Sequence, residues 1–380
     1  MKILFTTGGS GGHFYPVIAI AEAVHEVVRE KKYIEPKLYY AAPDPYDADL
    51  LFANGITFLP TAAGKLRRDG SPLSLLLNFI DLFKTLWGVV KSVWRLFFLY
   101  PDVVLGAGGY ASFPTLLAAR ILSIPVVIYS TDAEPSRVNR WAGKFAKKIA
   151  ISFPEAAEYF PKETVAFTGN PIRKALLLPV RDGIYEFLKL NPDVPVIFVI
   201  GGSQGAVALN EAVLSALPML LEKYQVVHQT GAANIVEMTG RARIVLAENP
   251  NAARYKAFGY LDALAMRMAA GAAKLVVSRA GAGSIFEVAT WGLPSIMVPI
   301  PQSISHDQTR NAYSYARGGA AVVIEQNNLT SGVLLSEVER ILEHPDIMRT
   351  MGAAAKGFAR ADAARTIAGE LLAIAVSHES

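Results

Sequence analysis

The chain has 380 residues, which is too long for one ordinary hydrophobic core and favours two domains. Hydrophobic residues make up 52% of it and charged residues 18%, which is enough apolar material for two buried sheets. The net charge of +4 comes without a long lysine–arginine run, which argues against nucleic acid as a partner, and the absence of cysteine excludes disulfides and cysteine-ligated zinc.

Short apolar runs alternate with helical stretches in the first half of the chain. The first predicted strand, Lys2–Thr7, is too short for the apolar core of a signal peptide, so we expect the protein to stay in the cytosol. The further predicted elements are a helix at Pro16–Glu30, strands at Lys37–Ala42, Thr57–Leu59, Pro101–Leu105, Val126–Tyr129 and Lys148–Ile151, and a helix at Ser112–Leu122. This alternation predicts a parallel, doubly wound α/β domain over residues 1–169.

The same pattern restarts after the turn residues 169–171, where we place the domain boundary. The predicted elements are a strand at Val194–Ile200, a helix at Ala206–Tyr224, strands at Val226–His228, Arg243–Leu246, Lys256–Phe258, Leu275–Ser278, Ser295–Val298 and Ala321–Ile324, and a helical tail at Leu334–Val376. The second half therefore predicts another doubly wound domain, over residues 170–359.

Three glycine-rich loops follow predicted strands, at Gly8–Gly12, Gly106–Gly109 and Gly201–Gly205. Glycine lets backbone N–H groups approach an anion closely, and the helix that follows adds its partly positive N-terminus. Ligands of open α/β sheets bind at the carboxyl ends of the strands. Three such loops therefore predict a protein that handles diphosphates on two different molecules, held in a cleft between two facing sheets.

The segment Pro72–Tyr100 is apolar except for polar residues at helical spacing. Its charges argue against a membrane span, because they would lie in hydrocarbon. One interpretation is a pair of core-packed helices. The other is an amphipathic surface that places Trp87, Trp94, Phe97 and Phe98 in the lipid interface and Lys84, Lys91 and Arg95 on anionic headgroups.

Several polar residues are candidates for ligand contacts. His13 follows the first glycine loop and could act as a general base, bind a ligand or serve only the fold. Arg173 is either a diphosphate clamp or a surface residue, and Glu287 either accepts the hydroxyls of a ribose or complements a helix terminus. The polar cluster His306–Asn311 predicts a binding loop.

Two other patterns argue against alternative chemistries. Asp47 and Asp49 match the acidic pair that holds a metal–nucleotide complex in some transferases, but without a third ligand they are more typical of a solvated loop. The sequence contains no phosphate-binding loop of the kind that ends in Gly-Lys-Ser/Thr, which argues against ATP hydrolysis of that type. We therefore expect neither a metal nor a cofactor.

Six segments, in this order, resemble the MurG family of N-acetylglucosaminyltransferases. They are GGSGGHFYP at 8–16, GAGGYAS at 106–112, TGNPIR at 168–173, GGSQGAVALN at 201–210, and residues 278–292 and 307–311. The resemblance implies a GT-B fold of two Rossmann-like domains facing across a cleft, with a final helix at 360–380 that returns to the N-terminal domain.

The resemblance also implies the reaction and its setting. N-acetylglucosamine passes from UDP-N-acetylglucosamine to the C4 hydroxyl of N-acetylmuramic acid in lipid I, with inversion, which gives lipid II for peptidoglycan synthesis. The enzyme would be peripheral on the cytoplasmic face of the cell membrane. It would meet the undecaprenyl-linked acceptor at an anionic surface, alongside other cell-wall synthesis proteins.

By the family pattern, most of the donor site lies in the C-terminal domain. Arg173, Ser203 and the Gly201–Gly202 backbone face the diphosphate, and Tyr260, Leu261 and Leu264 border the uracil. Glu287 takes the ribose and Gln308 contacts the sugar. The full set of donor residues that the resemblance implies is Ser10, Gly11, Gly12, Arg173, Gly202, Ser203, Gln204, Tyr260, Leu261, Leu264, Ala282, Ser284, Glu287 and Gln308.

The acceptor side departs from the family pattern. The resemblance assigns to the acceptor the residues Gly9, Ser10, Gly109, Tyr110 and Asp132. The family commonly has His-Glu-Gln-Asn where this chain has Tyr129-Ser130-Thr131-Asp132, so the glutamate is missing, and its His-Gln or Gln-Gln pair is Asp307-Gln308 here. We expect His13 to be the catalytic base, with Asp132 as the alternative base or as an orienting partner.

Three rival functions remain at this stage. A related GT-B glycosyltransferase could use another lipid acceptor, which the altered segment at 129–132 would fit. A UDP-N-acetylglucosamine 2-epimerase shares the two-domain architecture but needs no lipid-facing surface. A nucleotide-sugar binding subunit would bind the donor without turnover.

Overall fold

The computed structural model describes residues 1–65, 71–202, 206–302 and 308–379. The chain divides into two compact units. Unit 1 comprises Met1–Arg173 and Ala361–Ser380, and unit 2 comprises Lys174–Arg360.

Unit 1 contains a parallel sheet of seven strands in the order β3-β2-β1-β4-β5-β6-β7. The strands are β1 Lys2–Thr6, β2 Lys37–Ala42, β3 Ile56–Pro60, β4 Val103–Gly106, β5 Val126–Ser130, β6 Lys148–Ile151 and β7 Val165–Phe167. The first helices are α1 Gly11–Lys31, α2 Ala48–Ala53, α3 Pro72–Leu99, α4 Phe113–Ile121 and α5 Arg137–Ala142. β4 and β5 are buried along their whole length, as expected of a parallel sheet covered on both faces.

Unit 2 contains a second parallel sheet, of six strands in the order β10-β9-β8-β11-β12-β13. The strands are β8 Val196–Ile200, β9 Gln225–Gln229, β10 Tyr255–Phe258, β11 Ala273–Arg279, β12 Ser295–Val298 and β13 Ala321–Val323. Its helices are α6 Ile184–Leu188, α7 Val207–Lys223, α8 Ile235–Val245, α9 Ala263–Ala272, α10 Ala282–Trp291, α11 Gln308–Arg317, α12 Ser331–Leu342 and α13 Pro345–Phe358. The predicted doubly wound α/β architecture is therefore confirmed in both units.

The last helix, α14 at Ala363–Glu379, belongs to unit 1. Its buried residues Ile367, Leu371 and Leu372 join the hydrophobic core formed by β1 and α1. Arg365 near its start also forms an ion pair with Glu30 of α1. α14, which follows unit 2 in the chain, thus packs with α1 on the sheet of unit 1.

One predicted strand, Arg243–Leu246, is wrong, because residues 243–245 form the end of α8. A short apolar run does not by itself distinguish a buried strand from a helix. The Ile244 and Val245 side chains are 78% and 42% exposed and point towards solvent, whereas Leu246, just after the helix, is buried in the core.

α3 is one helix of 28 residues, so the first of the two interpretations, a pair of core-packed helices, is wrong. Its buried positions carry the small residues Ser74, Gly88 and Ser92 and one leucine, Leu96, while most of its large apolar side chains are exposed. The segment 61–65, which precedes the helix in the chain, packs on its polar face. Thr85 Oγ1 accepts from the Gly64 amide at 3.0 Å. A Cβ at Gly88 would lie 1.8 Å from the Ala62 carbonyl oxygen, so this contact requires glycine. The helix therefore turns its polar face inward and its apolar face outward.

Candidate functional site

The first two glycine loops touch each other in unit 1, at the carboxyl ends of the neighbouring strands β1 and β4. The Gly8 amide donates to the Gly108 carbonyl at 2.7 Å. Gly109 has a φ of +82°, and a Cβ on it would lie 2.4 Å from Gly8 Cα. Only glycine fits this contact of backbone against backbone, which brings both loops to one place.

Helix α1 begins inside the first loop, at Gly11 rather than at the predicted Pro16. Ser10 is the N-cap residue; in the described part of the chain its side chain makes no capping hydrogen bond, and the first turn has no acidic residue. Gly9, Ser10 and Gly12 are exposed. An uncapped, accessible helix N-terminus of this kind favours an anion, because its amides and dipole present positive charge.

The early start of α1 places His13 in its first turn, facing the end of β5. Thr131 Oγ1 lies 3.3 Å from His13 Nδ1 and donates to Asp132 Oδ2 at 2.9 Å. His13 keeps part of its surface accessible, whereas Thr131 is buried. The three side chains form a continuous line from the imidazole to a carboxylate.

The surroundings of His13 determine its charge. Burial lowers the pKa of the imidazole below its ordinary value, while the Asp132 carboxylate and a hydrogen bond with the Ala107 backbone act in the opposite direction. Since burial is the largest of these effects, the ring is neutral near pH 7 and can accept a proton.

Tyr129, two residues before Thr131, faces the interior. Its hydroxyl lies 2.7 Å from Ser152 Oγ and donates to Asn170 Oδ1, and Asn139 Nδ2 donates to its carbonyl at 3.1 Å. Burial raises the pKa of Tyr129 well above its ordinary value, so it does not exchange protons near neutral pH. Within the segment 129–132, Tyr129 therefore supports the fold, and Thr131 and Asp132 face His13.

Two further predicted residues lie near this loop. Tyr110 follows the second glycine loop and is 44% exposed. The Arg173 guanidinium stacks on the Tyr15 ring, 4.3 Å from its centroid, and Tyr15 belongs to the first turns of α1. The Arg173 guanidinium thus lies against the same helix that carries His13.

The third glycine loop begins at the carboxyl end of β8 in unit 2. Gly202 has a φ of +80°, which is the region that favours glycine. The predicted donor residues Ser203 and Gln204 lie outside the described residues, and so do His306 and Asp307 of the predicted binding loop. Helix α7 begins just beyond, at Val207, without an acidic residue in its first turn.

The N-terminus of α10 is a second site in unit 2 that favours an anion. Its N-cap residue is Gly281, and its first turn, Ala282 to Ser284, has no acidic residue. Gln308 lies beside it: its Nε2 is 3.9 Å from the position of a Gly281 Cβ, and its Oε1 accepts from the Ile300 amide at 3.1 Å. Glu287 lies further along α10, after the first turn.

The three residues predicted to border the uracil differ in the exposure of their side chains. Tyr260 and Leu264 are 58% and 51% exposed, so their side chains are available to a ligand. Leu261 is buried, and its amide donates to Gln229 Oε1 at 3.1 Å. Leu261 therefore helps to fix the loop that carries the other two.

The structure adds residues that the sequence did not indicate. Thr131 bridges His13 and Asp132, and its position next to Asp132 was the available signal. Tyr46 covers the first loop, since a Cβ at Gly11 would lie 2.5 Å from its hydroxyl.

The acidic pair has a local role in the fold. Asp47 caps α2, where its carboxylate accepts from the Leu50 amide, and Asp49 lies in the first turn of the same helix. Both carboxylates therefore complement the N-terminus of α2. Among the described residues, no group of three or more histidine and acidic side chains could hold a metal ion.

Comparisons with known proteins extend over nearly the whole chain. The N-terminal domain of glycosyltransferase family 28 matches residues 3–151, and the C-terminal domain of that family matches residues 196–367. A Geobacter sulfurreducens protein named UDP-N-acetylglucosamine–N-acetylmuramyl-(pentapeptide) pyrophosphoryl-undecaprenol N-acetylglucosamine transferase is 35% identical over 376 residues, 98% of each chain. The crystal structure of Acinetobacter baumannii MurG matches with a TM-score of 0.73 and 25% identity, over 98% of this chain and 99% of that one.

A UDP-N-acetylglucosamine 2-epimerase from Neisseria meningitidis has the same architecture, with a TM-score of 0.67 over 98% of this chain and 100% of that one. Its sequence is 15% identical, so this likeness concerns the fold alone and does not favour the epimerase alternative. Identity to the transferase is more than twice as high and extends along both units. The chain belongs to the MurG family of glycosyltransferases, and it has the GT-B fold of two Rossmann-like domains.

Proposed function

We propose that this protein transfers N-acetylglucosamine from UDP-N-acetylglucosamine to the C4 hydroxyl of N-acetylmuramic acid in lipid I, which gives lipid II. The observation that carries the proposal is a neutral, accessible imidazole, His13, at an uncapped helix N-terminus in unit 1. Membership of the MurG family supplies the donor and the acceptor. In this proposal unit 1 binds the acceptor and unit 2 binds most of the donor.

The reaction is a direct displacement with inversion at the anomeric carbon. The C4 oxygen of the acceptor forms a bond to the anomeric carbon while the bond from that carbon to the diphosphate oxygen breaks. His13 takes the proton of the hydroxyl, and UDP leaves with the electron pair of the broken bond. The exposed loop residues Gly9 and Ser10, with Gly109 and Tyr110, hold the lipid-linked diphosphate of the acceptor.

On the donor side, positive charge must stabilise the departing diphosphate. In unit 2, the Gly202 backbone and the N-terminus of α10 supply it, together with Ser203 and Gln204. Glu287 accepts the ribose hydroxyls, and Gln308 contacts the sugar from beside the start of α10. Tyr260 and Leu264 pack against the uracil with their exposed side chains.

We infer that the outward face of α3 binds the membrane that contains the acceptor. Residues Leu73–Leu99 are long and apolar enough to span a bilayer, and 17% of their most apolar stretch is buried. The helix instead lies on the surface, because its polar stripe is packed against the preceding segment. Trp87, Trp94, Phe97 and Phe98 are each more than 60% exposed.

Basic side chains accompany this apolar face. Lys84 and Lys91 are exposed, and Arg95 bonds to the Pro60 carbonyl from a partly exposed position. They suit an anionic headgroup layer, as at the cytoplasmic face of a bacterial membrane. An acceptor with a lipid tail would then be presented to unit 1 from the same surface.

The test is incubation of the purified full-length protein with labelled UDP-N-acetylglucosamine and lipid I in anionic vesicles. Labelled lipid II is the expected product. Transfer to a different undecaprenyl-linked lipid, without transfer to lipid I, would overturn the acceptor assignment. UDP-N-acetylmannosamine formed without any acceptor would overturn the transferase reaction itself.

A further inference from the structure

We propose that Thr131 is a positioning residue: its hydroxyl joins His13 to Asp132 and directs one ring nitrogen of His13 towards the acceptor hydroxyl. The proposal rests on the proposed function for its catalytic meaning. The arrangement of hydrogen bonds that it describes is a property of the protein alone.

The direction of the hydrogen bonds follows from the number of protons available. A threonine hydroxyl carries one proton, and Thr131 donates it to Asp132 Oδ2 at 2.9 Å. Towards His13 Nδ1, at 3.3 Å, the same oxygen can then only accept, so Nδ1 carries the ring proton. In this arrangement the Nδ1 proton also serves the hydrogen bond with the Ala107 backbone, and the neutral imidazole has its free electron pair on Nε2, which is the atom that takes a proton from the acceptor.

The Asp132 carboxylate is the group through which these hydrogen bonds affect the reaction. When Nε2 takes the acceptor proton, the ring becomes positively charged, and Asp132 stabilises that charge through Thr131. The proton on Nδ1 stays on Nδ1. The Thr131 hydroxyl thus links the base, His13, to the Asp132 carboxylate.

In the described part of the chain, Asp132 is the charged side chain that acts on the His13 ring. The end of β5 contributes Thr131 and Asp132, and the end of β4 contributes the Ala107 backbone. α5 contributes the neutral amide of Asn139, whose Nδ2 lies 3.3 Å from the position of a Gly108 Cβ. A change in the link between His13 and Asp132 should therefore change the pH dependence of kcat/KM.

The hydroxyl can be removed without changing the shape of the side chain. Thr131 is 4% exposed, and Thr131→Val replaces its hydroxyl by a methyl group of similar size, while Thr131→Ser keeps the hydroxyl. We expect the valine variant to lose on the order of 10²-fold in kcat with an unchanged KM for UDP-N-acetylglucosamine, and the serine variant to stay within about threefold of wild type.

The pH profile of kcat/KM distinguishes a Thr131 that links His13 to Asp132 from a Thr131 that only supports the fold. The acidic limb of kcat/KM reports the pKa of His13, which should fall in Thr131→Val because the imidazolium loses its connection to the carboxylate. Asp132→Asn should shift the limb in the same direction. In the Asp132→Asn background, the valine substitution should have almost no further effect. Additive losses in the double variant, or a valine variant with wild-type kcat and pH profile, would overturn the proposal.

The ring proton gives a second test that needs no substrate. In long-range ¹H–¹⁵N spectra of the histidine-labelled protein, the signal missing from His13→Gln identifies His13. We expect the neutral ring to carry its proton on Nδ1 in wild type and in Thr131→Ser, and to lose that preference in Thr131→Val. A wild-type proton on Nε2 would overturn the proposal even if lipid II is formed. If lipid II is not formed, the spectra still decide the arrangement, while the proposed function fails separately.

Discussion

Two histidines, one in each unit, have pKa values that burial lowers, but they differ in their surroundings. Burial lowers the pKa of both, and that of His228 falls to about 3. His228 is fully buried on β9, with Nδ1 3.0 Å from the Tyr255 hydroxyl and Nε2 3.1 Å from Asn210 Oδ1. His13 instead keeps an accessible surface beside a glycine loop and is linked to a carboxylate.

The difference lies in the partners. His228 is hydrogen-bonded on both ring nitrogens to neutral groups, and it ties α7 to the sheet through Asn210, whose Nδ2 donates to the Thr230 carbonyl at 2.9 Å. A positive charge there would have no compensation, so the ring serves the fold. In the proposed reaction, the nearby carboxylate compensates the positive charge that forms on His13.

The largest expected effect separates the two histidines directly. His13→Gln should lower the rate of lipid II formation by about 10³-fold, because the acceptor hydroxyl loses its base, and should leave the free energy of unfolding nearly unchanged. His228→Gln should lower stability with a much smaller effect on the rate per folded molecule. Initial rates and urea unfolding of both variants measure this. Full activity in His13→Gln, with activity lost in Asp132→Asn, would assign the base to Asp132.

The second prediction compares exposed apolar side chains in the two units. Replacing Trp94 and Phe97 of α3 by serine should weaken binding to phosphatidylglycerol vesicles by on the order of 10²-fold, because two large side chains leave the lipid interface. The control replaces Val236 and Ile244 of α8 by serine, which are 84% and 78% exposed. Vesicle sedimentation measures the binding. Equal losses in both double variants would contradict a membrane surface specific to α3.

The third prediction concerns the donor in unit 2. Glu287→Gln should raise the KM for UDP-N-acetylglucosamine by about 10-fold or more and leave kcat within about threefold, since a charge-assisted hydrogen bond to the ribose is lost in ground state and transition state alike. Glu237→Gln on α8, which removes an exposed carboxylate of the same unit, is the control. Steady-state kinetics with varied donor measure the effect, and an unchanged KM would remove Glu287 from the donor site.

The smallest expected effect is a pH dependence of stability due to His228. Its folded pKa of about 3 lies below the unfolded value, so below pH 6.5 the unfolded chain binds a proton that the folded chain does not. The free energy of unfolding should therefore fall by about 1.4 kcal/mol per pH unit from pH 6.5 down towards pH 3. Urea unfolding between pH 7.5 and 5.5 should show a shallower decline in His228→Gln than in wild type. Parallel declines would contradict this role.

The sequence predicted the parts of the site that depend on strand–loop–helix order. The glycine loops, His13 and the doubly wound sheets follow from apolar runs that end in glycine. Sequence could not orient the segment 129–132, because β5 is buried on both faces and its side chains show no alternation. The place of Thr131 next to Asp132 was a signal in the sequence, but its bridging position became visible through its distances to His13 and Asp132.

α3 illustrates another limit of prediction from sequence. Its polar spacing predicted one distinct face, and that part of the interpretation is visible in the structure. In a soluble protein the polar face is expected outside. Here Ala62 and Gly64 of the preceding segment lie on Gly88 and Thr85 of the helix, and such contacts leave no periodic signal in the sequence.

The most direct test of the division between a reacting unit 1 and a donor-binding unit 2 is the affinity of His13→Gln for UDP-N-acetylglucosamine, measured by titration calorimetry without acceptor. Our account predicts a Kd within about threefold of wild type in a variant that forms almost no lipid II, because His13 acts on the acceptor hydroxyl. A Kd raised by tenfold or more would contradict it and would place His13 in the donor site.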